Sequence, residues 1–127
     1  LGHKHLPEIV TYGRLARPPI FVPSVGNFRE GMIVSVPLHL DRLPGQPSGA
    51  DLEGVFRAHY ASADYVRVTS PTPKLDALGL NHTNMLEISV HADETKRQAV
   101  VLARLDNLGK GASGAAVQNL GLMIVGG

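Results

Sequence analysis

Two groups of residues in this 127-residue chain have the types and spacing to do chemistry. The first is Asp106-Asn107-Leu108-Gly109-Lys110-Gly111-Ala112-Ser113-Gly114. It follows an apolar run, Ala99 to Leu105, that reads as a buried strand. It precedes Ala115 to Ile124, where Val117, Leu120 and Ile124 share one helical face. Glycine reaches positive φ at little steric cost and lets a ligand or another backbone come close. A helix start presents unpaired N–H groups and partial positive charge. Together these features suit phosphate or another anion, and Lys110 adds a mobile cation. The plain alternative is a tight turn. A nucleotide P-loop fits poorly, because its Gly-Lys is followed by Ser or Thr and Lys110 is followed by Gly111. A dinucleotide fingerprint can be laid on Gly109, Gly111 and Gly114, but this sequence has no acidic residue about 20 positions on.

The second group is His3-Lys4-His5. On an extended segment, residues two apart point the same way. Such a pair suits two metal ligands, acid/base groups or plain surface polarity. No third ligand lies nearby in sequence, so no metal is expected. Imidazole titrates near neutrality, which makes acid/base work plausible. The chain has no cysteine. That excludes a disulfide scaffold, a cysteine zinc site and thiol catalysis by this chain alone.

The positioning elements can be read in order. Pro7 and Glu8 suit the first turn of a short helix that Gly13 and Pro18-Pro19 stop. Ile20 to Pro23 reads as a short strand, and Ser24 to Glu30 as a loop. Gly31 to Leu40 is the clearest strand. Met32, Val34, Val36, Leu38 and Leu40 are expected to face a core, with Ile33, Ser35, Pro37 and His39 opposite. Pro37 removes a ladder donor and points to an edge or bulge. Ser48, with Asp51 three residues on, can cap a helix whose stripe is Leu52, Val55, Phe56, His59 and Tyr60. His59 is expected to be partly buried there. Tyr65 to Thr69, Met85 to His91 and Arg97 to Leu105 read as strands, the last two forming a hairpin. Short turns between strands and few helices predict an α+β fold: a mixed, largely antiparallel sheet with helices on one face. The open face, carrying Ile33, Ser35 and His39, suits a second subunit.

The composition is that of a globular chain, with 43% apolar and 18% charged residues. A net charge of +1 implies no general attraction to nucleic acid or membrane. The chain contains no transmembrane-length apolar run. Its first residue, Leu1, leads straight into motif-like sequence, so a domain of a longer protein is expected.

Three segments together resemble N-acetyl-γ-glutamyl-phosphate reductase, in matching order and spacing. They are Gly2-His3-Lys4-His5-Leu6-Pro7-Glu8-Ile9, Phe21 to Met32, and Asp106 to Gly114 continuing through Ala116, Gln118 and Asn119. The resemblance implies that residues 1–127 are the substrate and dimerisation domain of a two-domain cytoplasmic enzyme of arginine biosynthesis. Its fold would be like the C-terminal domain of glyceraldehyde-3-phosphate dehydrogenase. The missing N-terminal half would bind NADP and carry the cysteine that attacks the acyl phosphate. The resemblance further implies that His3 or His5, with His3 favoured, is the acid/base group. Glu8, Ser24, Asn27 and Arg29 would meet the substrate. Asn107, Gly109, Lys110 and Gly111 would lie against the cofactor. A homodimer or homotetramer is implied, and the isolated domain is expected to be inactive. Ser24 stands where the commoner family form has histidine, and Glu30 separates Arg29 from Gly31. The alternatives are a paralogous reductase of lysine biosynthesis and a non-catalytic oligomerisation module.

Overall fold

A computed structural model describes residues 3–125; Gly2 of the first motif lies outside the described residues. In chain order the elements are α1 (Leu6–Tyr12), β1 (Met32–His39), α2 (Gly49–His59), β2 (Val66–Val68), β3 (Leu86–Asp93), β4 (Gln98–Leu105) and α3 (Gly114–Val125). The strands form one sheet in the order β1-β4-β3-β2. β2 runs parallel to β3 and the other pairs are antiparallel. The α+β class and the mixed, mainly antiparallel sheet are as the sequence predicts. β1 is an edge strand, which accommodates Pro37 opposite Val100.

α2 forms where the sequence places it, and its start shows why. Ser48 Oγ accepts the Asp51 N–H at 3.1 Å, and Asp51 Oδ2 accepts the Ser48 N–H at 2.8 Å. This reciprocal capping satisfies two donors that the first turn leaves orphaned. Gly49 is buried against β3, where a Cβ would stand 2.3 Å from that of Ala92. Leu52 and Phe56 then pack on Leu40, Val90 and Ala99, the centre of the core. Leu40 is fully buried, so its truncation to alanine costs about 3 kcal/mol.

Three expectations are corrected. Ile20 to Pro23 is not a strand; Ile20 is 87% and Val22 69% exposed. A short apolar run between prolines has little stability without a ladder partner. On the face that α2 covers, Met32, Val34 and Val36 remain exposed. α2 sits over the β2–β3 half, while these residues lie on the edge strand at the other side. His59 is exposed, its ring edge-on to Tyr60 at 4.7 Å, because the stripe buries only its Leu52–Phe56 side. The apolar residues Val117, Leu120 and Ile124 of α3 are also exposed, at 70%, 56% and 71%.

Candidate functional site

The Asp106–Gly114 turn leaves the end of β4 as a single wide helical turn, Gly109–Ser113, that runs directly into α3. Asp106 is 2% exposed. Its Oδ1 accepts the N–H groups of Leu108 at 2.8 Å and Gly109 at 2.9 Å, and its Oδ2 accepts that of His82 at 2.8 Å. The chain thus supplies its own anion at the helix start. The Gly109 N–H lowers the Asp106 carboxyl; burial opposes this, and the His82 and Leu108 N–H groups and the His82 charge add to the lowering. N–H groups expected to face an external phosphate are therefore engaged within the chain.

The glycines serve close packing. A Cβ on Gly109 would stand 2.9 Å from Thr83 O, and one on Gly114 2.2 Å from Asn84 Oδ1. Their absence lets the segment 82–84 lie flat on the turn. Lys110 reaches Gln118 Oε1 at 3.1 Å and lies 5.5 Å from the centre of the Tyr65 ring.

Asn107 connects this turn to the loop before β1. Its Oδ1 accepts the Gly31 N–H at 2.7 Å. Arg29 and Glu30 line an open cleft of about 440 Å³ with His82, Asn84, Asp106 and Gly109. Glu30 Oε1 lies 3.4 Å from His82 Nε2. Glu30, His82 and Asp106 bring ligand-type atoms within 4.8 Å of one another. A cation there would compete with the backbone N–H groups already on Asp106. His82 is not among the residues that the sequence singles out; its signal there is the polar run Asn81-His82-Thr83-Asn84 just before β3.

His3 and His5 pack together at the other group. Their ring centres are 4.9 Å apart, and His3 also meets Phe21 at 4.9 Å. His3 Nδ1 accepts the His5 backbone N–H at 3.3 Å. A neutral His3 ring in this arrangement carries its proton on Nε2. Glu8 lies exposed in the first turn of α1, and Ser24 and Asn27 are exposed in the irregular segment before β1. Among the described residues, no hydrogen bond joins His3, His5, Glu8, Ser24 or Asn27 to the Asp106–Gly114 turn. The structure thus gathers Arg29, Asn107 and Gly109 in one region and pairs the two histidines in another.

Residues 1–107 match the family model described as semialdehyde dehydrogenase, dimerisation domain. The chain belongs to this family. As a semialdehyde dehydrogenase dimerisation domain it has curated relatives that share one name, N-acetyl-gamma-glutamyl-phosphate reductase. The relative from Chelativorans sp. (strain BNC1) is 47% identical over 99% of this chain and 43% of its own length. That from Trichormus variabilis is 44% identical over 97% of this chain and 41% of its own. That from Brucella ovis is 49% identical over 98% of this chain and 42% of its own. The domain therefore spans about two fifths of the length of these relatives. Among the described residues, no helix is long and apolar enough to cross a membrane.

Proposed function

We propose that this domain is the substrate and dimerisation part, residues 1–127, of an NADP-dependent reductase that converts N-acetyl-glutamyl phosphate to N-acetyl-glutamate semialdehyde in the cytoplasm. The observation that carries the reading is 44–49% identity, across nearly all of this chain, to relatives that bear the reductase name. The nucleotide-binding half and the cysteine nucleophile belong to the rest of the polypeptide. Isolated, the domain is inactive.

His3 suits the acid/base role. In the neutral ring Nδ1 holds the lone pair that accepts the His5 N–H, so His3 takes up a proton at Nδ1 by releasing that hydrogen bond, with Nε2–H a donor throughout. His5 and Glu8 at the start of α1, with Ser24 and Asn27 in the exposed segment before β1, bind or orient the acyl phosphate. Arg29 offers positive charge at the cleft for the phosphate group.

The donor chemistry at Asn107 fits the cofactor. Its Oδ1 is fixed by Gly31, so its Nδ2 remains as an oriented donor towards a carboxamide. Gly109 packs on Thr83 and so holds the turn that carries Asn107, Gly111 adds no side chain next to Asn107, and Lys110 adds a cation on the same turn. NADPH, when bound, supplies the hydride. The sheet face opposite α2 carries the contact between two copies.

The test is turnover of N-acetylglutamyl phosphate with NADPH. The polypeptide that carries this domain is expected to consume NADPH, and the 127-residue chain is not. NADPH oxidation by the isolated chain, or none by the longer polypeptide, would overturn the reading.

A further inference from the structure

On the face opposite α2, Arg67, Glu87 and Arg104 stand in one row across β2, β3 and β4, and Ile33 of β1 pairs with Arg104. Glu87 is 7% exposed. Its Oε1 accepts from Arg67 Nε at 2.7 Å and its Oε2 from Arg104 Nε at 3.0 Å. Each guanidinium gives the same oxygen a second N–H from Nη2. Burial pushes the Glu87 carboxyl up, but the Arg104 and Arg67 hydrogen bonds outweigh it and hold the group below the usual range. The carboxylate is therefore charged at neutral pH, and it fixes the plane of the Arg104 fork.

That fork has a further donor. Arg104 Nη1 donates to the Asp76 carbonyl at 3.0 Å. The segment from Asp76 to Thr83 is a series of tight turns: Asp76 Oδ1 accepts the Leu78 N–H at 2.9 Å, and Leu78 O accepts the Asn81 N–H at 3.0 Å. Leu80, 4% exposed, anchors it in the interior. Its far end reaches the candidate site. Asn81 Nδ2 donates to Glu30 O at 3.2 Å, and Ala77 O lies 2.5 Å from where a Cβ on Gly31 would stand. Gly31 in turn donates to Asn107.

We propose that Arg104, held by Glu87, is a positioning residue that braces the Asp76–Asn81 segment and thereby fixes the Glu30–Gly31 backbone between Arg29 and Asn107. The proposal rests on the reading above in taking that backbone as the border of the substrate site. It links the open sheet face to the cleft through contiguous contacts. Only a planar fork holds both the Glu87 carboxylate and the Asp76 carbonyl in this geometry, so lysine is not equivalent.

Two variants test it. Arg104→Lys keeps the charge and removes the fork. Gly79→Ala leaves the triad's chemistry intact but puts a Cβ 2.6 Å from Arg104 Nη1. Amide hydrogen exchange on the 127-residue chain is the first readout. Both variants are expected to speed exchange of the Gly31 and Asn81 amides about tenfold, with Val90 and Val101 in the sheet unchanged. In the longer reductase, KM for the acyl phosphate is expected to rise about fivefold, with kcat and KM for NADPH within about twofold of the starting protein. Unchanged exchange at Gly31 in both variants, or faster exchange with an unchanged acyl-phosphate KM, would overturn the proposal. If the longer polypeptide had no reductase turnover at all, the reductase reading would fall, and exchange at Gly31 would still decide whether Arg104 braces the loop.

Discussion

Asp106 accepts the Gly109 N–H at 2.9 Å, so a carboxylate from the end of β4 takes the place at the helix start that an external anion would otherwise occupy. With Leu108 and His82 on the same carboxylate, it ties the turn before α3 to the segment before β3.

The first prediction concerns acid stability. The folded Asp106 carboxyl lies below its ordinary value, so its contribution is complete above about pH 4 and is lost as pH falls through the folded value. Asp106→Asn is expected to be less stable at neutral pH, and the gap to the unmodified chain is expected to narrow below about pH 4. Urea midpoints across this range measure it. A gap that stays constant into strong acid would contradict the assignment.

Gly31 has φ +111° and faces the Ala77 carbonyl. Gly31→Ala is expected to cost about 2 kcal/mol, from backbone strain and the close oxygen together. Gly54, inside α2 with open space around it, is the contrast. Gly54→Ala is expected to gain up to about 1 kcal/mol from helix propensity. Denaturant unfolding of both variants checks the pair; a neutral Gly31→Ala would remove the steric argument.

Ser35 pairs with Leu102, and Leu102 with Ser89, in a row across the face opposite α2. Ser35 is exposed at the edge strand. Ser35→Arg is expected to convert a dimer at micromolar concentration to monomer without unfolding it, since the charge would be buried only in the assembly. Val36→Asp, on the other face, is expected to leave the dimer intact. Sedimentation velocity distinguishes them, and a dimer that survives Ser35→Arg would put the contact elsewhere.

Strand alternation made most of the sheet legible, and Ser48 with Asp51 marked the start of α2 to the residue. What alternation cannot show is which strand a helix covers. The apolar set Met32, Val34 and Val36 has the pattern of a core face, yet β1 lies at the sheet edge beyond the reach of α2. Ile20 to Pro23 has strand composition and no partner. At the site, the glycine turn was visible as a turn that needs close approach. Its neighbours were not, because Thr83 and Asn84 reach it only through the pairing of β3 with β4. The Glu87–Arg104 pair was hidden for the same reason: register joins residues that sequence separation conceals.

The measurement that bears most directly on the central claim is turnover of N-acetylglutamyl phosphate with NADPH by the longer polypeptide, with His3 and His5 changed in turn to Asn. The unmodified polypeptide is expected to turn over, and at least one variant, His3→Asn first, is expected to lose about 10²- to 10⁴-fold in kcat with its oligomer and NADPH binding intact. Turnover unchanged in both variants would contradict the acid/base assignment, and no turnover in the unmodified polypeptide would contradict the reductase reading itself.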